Sequence, residues 1–303
     1  MRQVIEWLPS SFHCLWETLP LDKVEEIRIR SYQPIEIMLT DDVLFLEELM
    51  MTPLQIEHLF QKLAHYSIYA FEEELKNGYL TIAGGHRVGF AGQPMIDQQK
   101  IQTFRFISSL NIRIAKEKIG IAQSFLPYVY QKQLYSTLLI GPPQVGKTTL
   151  LRDFVRLFSQ GNQAQPSMKV AVVDERSEIC ACVKGLPSFS FGPRLDVLDG
   201  CPKSEGVMLF IRAMSPDVII VDEIGREADI DALLEGMNAG VSFMATAHGK
   251  TLQDICRRPS FMPLMDNRLF ERYIVLHRMQ DVFSATIYNE SLEKITKVYL
   301  QKW

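Results

Sequence analysis

Two kinds of hydrophobic spacing divide the chain. In the first half, short stretches alternate apolar and polar positions. Residues 25–30 alternate, 31–34 carry turn residues and 35–39 alternate again, which predicts a hairpin with one buried face. Thr52-Pro53 then opens a stripe of Leu54, Ile56, Leu59, Phe60 and Leu63. That predicts a helix with Thr52 as cap and Pro53 at the first helical position. A second helix is expected over 67–76, ended by Asn77-Gly78. Residues 79–83 and 86–90 flank Gly84-Gly85, a pair suited to the positive φ of a tight turn. Alternation returns over 103–115. This half predicts a smaller α+β domain over 1–118, followed by a linker over 119–134.

From Leu134 onward the apolar positions run together instead. Residues 137–140, 170–173, 218–221 and 241–245 are short continuous apolar runs. They suit strands buried on both faces of a mainly parallel sheet. Helical stretches at 148–159, 204–213 and 230–238 lie between them, and 273–276, 282–288 and 297–300 predict a terminal β-meander. The expectation is an α/β domain over 135–303.

Charge and composition remove several classes. Lys+Arg 32 against Asp+Glu 36 leaves a net charge of −4, which argues against nucleic acid as a partner held by global electrostatics. The longest unbroken apolar runs, 179–183 and 207–211, are five residues each, against about 20 for a bilayer span. No transmembrane segment is expected. The opening Met1-Arg2-Gln3-Val4-Ile5-Glu6 lacks the apolar core of a secretory signal. The expected location is therefore cytoplasmic, with any membrane association peripheral and through partners. Five cysteines, including a Cys180-x-Cys182 pair without a second ligand pair, read as reduced thiols rather than a disulfide framework or a zinc site.

Four strand ends carry the candidate chemistry. The strand ending at Ile140 runs into Gly141, Pro142, Pro143, Gln144, Val145, Gly146, Lys147, Thr148 and Thr149, followed by a helix. Glycines let such a loop fold its N–H groups around a phosphate, and the helix start adds positive potential. Lys147 would reach the β- and γ-phosphates of ATP, and the Thr148 hydroxyl would take Mg²⁺. Val218-Ile219-Ile220-Val221 ends in Asp222-Glu223. Asp222 would serve the Mg²⁺ and Glu223 would orient or deprotonate the attacking water. A Glu directly after the Asp suits hydrolysis better than transfer to a small acceptor. Asp174-Glu175-Arg176-Ser177-Glu178 closes a third strand, where Glu175 could add a carboxylate near the water or metal. Thr246-Ala247-His248 closes a fourth, where His248 could sense the γ-phosphate. Ligands of open α/β sheets bind outside the carboxyl ends of the strands.

Together these segments resemble the ATPases of type II and type IV secretion systems and the pilus motors. That family carries a Walker A loop, an aspartate box, a Walker B segment and a histidine box in this order. The resemblance implies a RecA-like or AAA-type P-loop fold. Val221-Asp222-Glu223-Ile224-Gly225-Arg226 looks like that family's V-G-E-I-R-D, with Asp222 where those ATPases usually have glycine. Other words extend the likeness over nearly the whole chain: Gly84-Gly85-His86-Arg87-Val88-Gly89, Ile107-Ser108-Ser109-Leu110-Asn111-Ile112-Arg113 and Gly192-Pro193-Arg194-Leu195-Asp196. They resemble a stage III sporulation family of endospore-forming bacteria. That likeness implies a mother-cell ATPase working with membrane proteins of a channel complex at the forespore septum.

Motors of this kind resemble hexameric rings, so the resemblance implies self-association into a ring-shaped homo-oligomer. In such rings basic residues of a neighbour or of the first domain complete each site. Arg87, Arg105 and Arg113 lie on expected strands of the first half; Arg113 is the first candidate and Arg105 the second. Residues 192–200, with Arg194, read as a mobile loop near the nucleotide or the subunit seam. The core motifs alone leave two alternatives to an Mg-dependent ATP hydrolase that energises a membrane complex. One is a nucleic-acid-stimulated RecA-like ATPase, the other a nucleotide-gated scaffold with little turnover.

Overall fold

A computed structural model describes residues 7–8, 19–21, 23–64, 75–76, 78–82, 84–97, 100–115, 118–279 and 282–300. The chain divides into two compact units, Met1–Lys116 and Glu117–Trp303.

The first unit is built on six strands: β1 (Val24–Arg30), β2 (Pro34–Leu39), β3 (Val43–Met50), β4 (Tyr79–Ile82), β5 (His86–Asp97) and β6 (Lys100–Arg113). They pair antiparallel in the order β3-β2-β1-β6-β5-β4. Alternation decides the faces, as successive side chains point to opposite sides of a strand. Ile27, Ile29, Ile35, Ile37, Val88, Leu110 and Ile112 are buried together with Ile56, Leu59, Phe60 and Leu63. The last four belong to α1 (Pro53–Leu63), whose N-cap Thr52 forms a capping box with Gln55. Only Leu75 and Lys76 of the helix expected over 67–76 are described, and both are helical; the rest lies outside the described residues. Strand β3 is the unexpected member. Its V-L-F-L-E-E-L-M does not alternate apolar with polar residues: it is an edge strand whose Leu44, Leu46 and Leu49 are half-buried against the core, while Val43, Phe45 and Met50 are exposed.

The second unit holds an eight-stranded sheet in the order β14-β13-β12-β7-β11-β10-β8-β9. The members are β7 (Thr137–Gly141), β8 (Val170–Asp174), β9 (Leu195–Asp199), β10 (Val218–Val221), β11 (Ser242–His248), β12 (Arg272–Met279), β13 (Val282–Asn289) and β14 (Lys294–Leu300). From β12 to β9 all neighbours are parallel, and only the β13–β14 meander runs antiparallel. Helices cover both faces, which is why the strands are continuously apolar. Val170, Val172, Val218 and Ile220 pack with Leu150, Leu151, Phe154 and Phe158 of α3 (Lys147–Gln160). Their neighbours Ala171, Val173, Ile219 and Val221 face the other way. They pack with Val207 and Phe210 of α4 (Lys203–Ala213) and Ile230 and Leu233 of α5 (Glu227–Asn238).

Two expectations change here. Residues 119–134, read as a linker, contain a 3-10 turn (Ala122–Phe125) and the helical turn α2 (Leu126–Val129). Ala122, Phe125, Leu126, Val129 and Leu134 are buried in the second unit's core. Buried Asp153 of α3 accepts a 2.7 Å hydrogen bond from the Ala122 amide and pairs with Arg156. The stretch is therefore part of that unit. Residues 192–200, read as a mobile loop, contain β9, paired in register with β8 from Val170↔Leu195 to Asp174↔Asp199. Arg194 sits at the start of that edge strand. It donates to the Ser167 carbonyl and lies 3.9 Å from Asp217, at the end of the sheet opposite the strand ends that carry the motifs. Among the described residues no helix is long and apolar enough to cross a membrane.

His86, buried at the start of β5, accepts a 3.0 Å hydrogen bond from the Ala115 amide on Nδ1. Burial pushes its imidazole down from 6.5 to about 4. Between those values the unfolded chain binds the proton and the folded unit does not, so stability rises with pH across that window. Acidification from pH 6.5 to 4 should cost the first unit about 3 kcal/mol through this residue. The check is chemical denaturation of wild type and His86→Gln at both ends of the window. A stability difference that stays constant between the two pH values refutes the prediction.

Candidate active site

The register of the parallel strands assembles the site. His248 pairs with Gly141 across β11 and β7, Val221 with Ala245 across β10 and β11, and Val221 with Val173 across β10 and β8. The ends of β7, β11, β10 and β8 therefore lie side by side. Each is followed at once by one of the sequence motifs.

The phosphate loop has the backbone that its sequence requires. Gly146 caps α3 with φ +92° and no side-chain cap hydrogen bond, and Gln144 also has positive φ. The first turn of α3 contains no acid. This leaves its N-terminal amides and positive dipole end open to an anion. A Cβ on Gly141 would lie 2.5 Å from Val145 Cγ1, so only glycine fits there.

Lys147 is 7% exposed. Its ammonium donates to the carbonyls of Gly141 (2.9 Å) and Pro142 (3.0 Å) and reaches His248 Nδ1 at 3.3 Å. An ammonium has three donors, and all three are engaged. Burial lowers the Lys147 pKa, while the charges of Asp222 and Glu223 act against that shift. With Nδ1 accepting, His248 carries its proton on Nε2 and donates it to Glu223 Oε1 at 3.0 Å. The other oxygen, Oε2, accepts from Arg176 at 3.1 Å. Lysine, histidine, glutamate and arginine thus form one chain across four strand ends.

Beside it, the Thr148 hydroxyl donates to Asp222 Oδ2 at 3.0 Å. Asp222 Oδ1 accepts from the Glu223 amide and from the Thr246 hydroxyl. The same Thr246 oxygen accepts from the Glu223 amide at 2.8 Å. These contacts hold Glu223 at φ +45°, a left-handed conformation that is uncommon for a residue with a side chain. A hydroxyl next to one carboxylate suits Mg²⁺, which keeps several waters and takes few protein oxygens when phosphates share it.

The aspartate-rich segment divides its labour in a way that the sequence did not reveal. Asp174 is buried, and it organises the loop. Its Oδ1 accepts from the Glu178 amide (2.8 Å), and its Oδ2 from Ile179 (3.0 Å) and Cys180 (2.7 Å). Burial raises its pKa against those three hydrogen bonds. Glu175 pairs with buried Lys203 and lies 3.7 Å from Arg226. Burial alone would raise its pKa, but Lys203, Arg226 and Arg176 outweigh it and lower the value. Glu175, Arg176, Glu223, Gly225, Arg226 and His248 line one cavity of about 210 Å³. Cys180 and Cys182 beneath the loop are buried and free. Their mutual hydrogen bond and burial push the Cys180 thiol far up.

Lys147, Thr148, Asp222, Glu223, Glu175 and His248 are thus brought together. The two candidate arginines are Arg113 and Arg105. Both belong to β6 of the first unit, where Arg113 lies 3.4 Å from Glu26 and Arg105 stands 5.4 Å from the Phe106 ring. Sequence reasoning missed Arg176, Lys203 and the bridging role of Thr246. Lys203 did leave a signal, a cation in the first turn of a helix, where the dipole disfavours it; its pairing with Glu175 accounts for the position.

Solved structures share the fold. The chain is similar to the ATPase DotB of Legionella pneumophila, with a TM-score of 0.62 and 14% identity over 93% of this chain and 81% of that one. It is similar also to the pilus retraction motor PilT with bound ADP, with a TM-score of 0.64 and 14% identity over 91% and 82%. At that identity the likeness shows the fold, the RecA-like P-loop fold of secretion and pilus-motor ATPases. The family itself comes from sequence. The model for sporulation stage III, protein AA matches residues 4–295. Stage III sporulation protein AA of Bacillus subtilis (strain 168) is 47% identical over 281 residues, 92% of this chain and 91% of that protein. The chain belongs to the sporulation stage III protein AA family. A shorter likeness, 31% over 163 residues, links 52% of this chain to 46% of an uncharacterised protein, ycf45, of Cyanidium caldarium.

Asp174→Asn tests the loop. An asparagine turns one acceptor oxygen into a donor facing backbone N–H groups, which should cost about 1–3 kcal/mol. Thermal unfolding should show the loss, and limited proteolysis should cut within 175–180. Wild-type stability and resistance would refute the organising role.

Proposed function

We propose that this protein is an Mg-dependent ATP hydrolase that energises a membrane-associated complex during endospore formation. The observation that carries the reading is the chain Lys147–His248–Glu223 beside the Thr148–Asp222 pair, at the ends of adjacent parallel strands. The triphosphate lies over Gly141, Pro142, Pro143, Gln144, Val145, Gly146, Lys147, Thr148 and Thr149. Binding draws Lys147 from its two carbonyls and His248 onto the β- and γ-phosphates, since all its donors are in use beforehand. Mg²⁺, when bound, neutralises charge on the phosphates, and the Thr148 hydroxyl and Asp222 carboxylate would hold it. Glu223 takes the proton of the attacking water, with His248 on its other oxygen holding the carboxylate in place. Glu175, already paired with Lys203, sets the charge of the cavity next to Glu223 rather than acting as a second base.

The protein assembles as a ring of identical chains, a hexamer, in which Arg113 or Arg105 of the first unit completes a site. Membrane proteins of a sporulation channel complex are its partners. It works from the cytoplasm, on the mother-cell side of the septum, held at the membrane by those partners. Family membership supports the sporulation role, and the fold shared with DotB and PilT supports the motor.

Two substitutions separate binding from turnover. Lys147→Ala should abolish binding of a fluorescent ATP analogue. Glu223→Gln should keep that binding and slow phosphate release about 10²–10⁴-fold. Wild-type turnover in Glu223→Gln would remove the water-activating role. Undiminished nucleotide binding in Lys147→Ala would remove the phosphate site.

A further inference from the structure

One cation of the strand-end chain has no task in the reading above. Arg176 lies two residues beyond the end of β8, and its guanidinium holds Glu223 Oε2 at 3.1 Å. The loop that carries it is fixed from two sides. Asp174 gathers the amides of Glu178, Ile179 and Cys180. Arg152, from the helix that follows the phosphate loop, donates to the carbonyls of Glu178 and Ile179 at 2.7 and 2.8 Å. The Ser177 hydroxyl donates to Asp199 at the end of the neighbouring strand. The backbone is thus tied to the phosphate-binding helix, while the Arg176 side chain itself is 59% exposed and opens onto the cavity shared with Glu223 and His248.

Two features mark the observed pairing as a resting arrangement. Lys147 is saturated by its own loop and by His248, contacts that a triphosphate must displace. The Arg176–Glu223 pair is exposed, and such pairs contribute little. A doubly charged phosphoryl group entering beside Glu223 is the stronger attractor for a guanidinium.

We propose that Arg176 is a catalytic residue of this site, which exchanges the Glu223 carboxylate for oxygens of the γ-phosphoryl group of bound ATP. The proposal rests on the ATP-hydrolase reading. It places one transition-state cation within the same unit as the phosphate loop, in addition to any arginine supplied by the first unit. The exchange also frees Oε2 of Glu223 at the moment a base is required. The water oxygen forms the new bond to the γ-phosphorus and its proton passes to Glu223. The bond from that phosphorus to the β,γ-bridging oxygen breaks, and the electron pair leaves on ADP. Arg176 stabilises the charge on the equatorial oxygens throughout.

The test compares ADP with ADP–aluminium fluoride, a mimic of the phosphoryl group in transfer, on the full-length protein with Mg²⁺. Arg176→Gln should bind ADP as tightly as wild type, bind the fluoride complex more weakly, and turn ATP over about 10²–10³-fold more slowly. Arg176→Lys should recover part of both losses. Equal binding of both ligands by Arg176→Gln and wild type, or unchanged turnover, overturns the assignment of Arg176 alone. An equal loss of ADP and fluoride-complex affinity also overturns it, by showing that the residue only shapes the loop. A wild-type protein that binds neither ligand overturns the nucleotide site itself, and Arg176 with it.

Discussion

The in-register parallel pairing of β7, β11, β10 and β8 is the constraint from which the site follows. Each strand carries its motif at or just past its last paired positions, so alignment of the strands is alignment of the chemistry. Because a strand's side chains alternate between faces, a shift of one residue in β10 would exchange its core-facing sets. Val221 would leave its pocket, and the two carboxylates after it would move with it. Helices on both faces resist such a shift, because both sets of side chains are buried.

Within that frame the site is held by polar contacts of unequal kind. Thr246 is fully buried, and its hydroxyl ties Asp222 to the backbone of Glu223. These short contacts keep Glu223 in a left-handed conformation that costs on the order of 1–3 kcal/mol. The ion pairs nearer solvent, Arg176–Glu223 and Arg226–Glu175, are loosely held by comparison. The backbone of the site is therefore rigid and its outer cations are free to exchange partners, a division that suits a binding site whose ligand brings several negative charges.

Much of this was legible in the chain. The phosphate loop reads directly, because its glycines, lysine and threonine serve contacts within one turn of backbone. The capped helix after Thr52 and the one-sided hairpin over β1 and β2 read just as well, since their spacing repeats within a few residues. The edge strand β3 did not, because its exposed positions Val43, Phe45 and Met50 are as apolar as the half-buried leucines between them. Strand β9 was hidden for a related reason: its L-D-V-L-D lies between turn residues and is held as a strand by β8 alone. The supposed linker misled because its apolar residues are too few for a repeat, yet enough to fill a gap beside α3.

What the sequence determined by itself is local: which segments are strands buried on both faces, where a loop can wrap a phosphate, and which acids follow a strand end. Tertiary structure alone decided which charges meet. Asp174 became the organiser of a loop and Glu175 the partner of Lys203, although they are adjacent, because successive residues at a strand end point in opposite directions. Arg176 met Glu223 across 47 positions of chain, a separation over which spacing carries no information and only the order of strands in the sheet does.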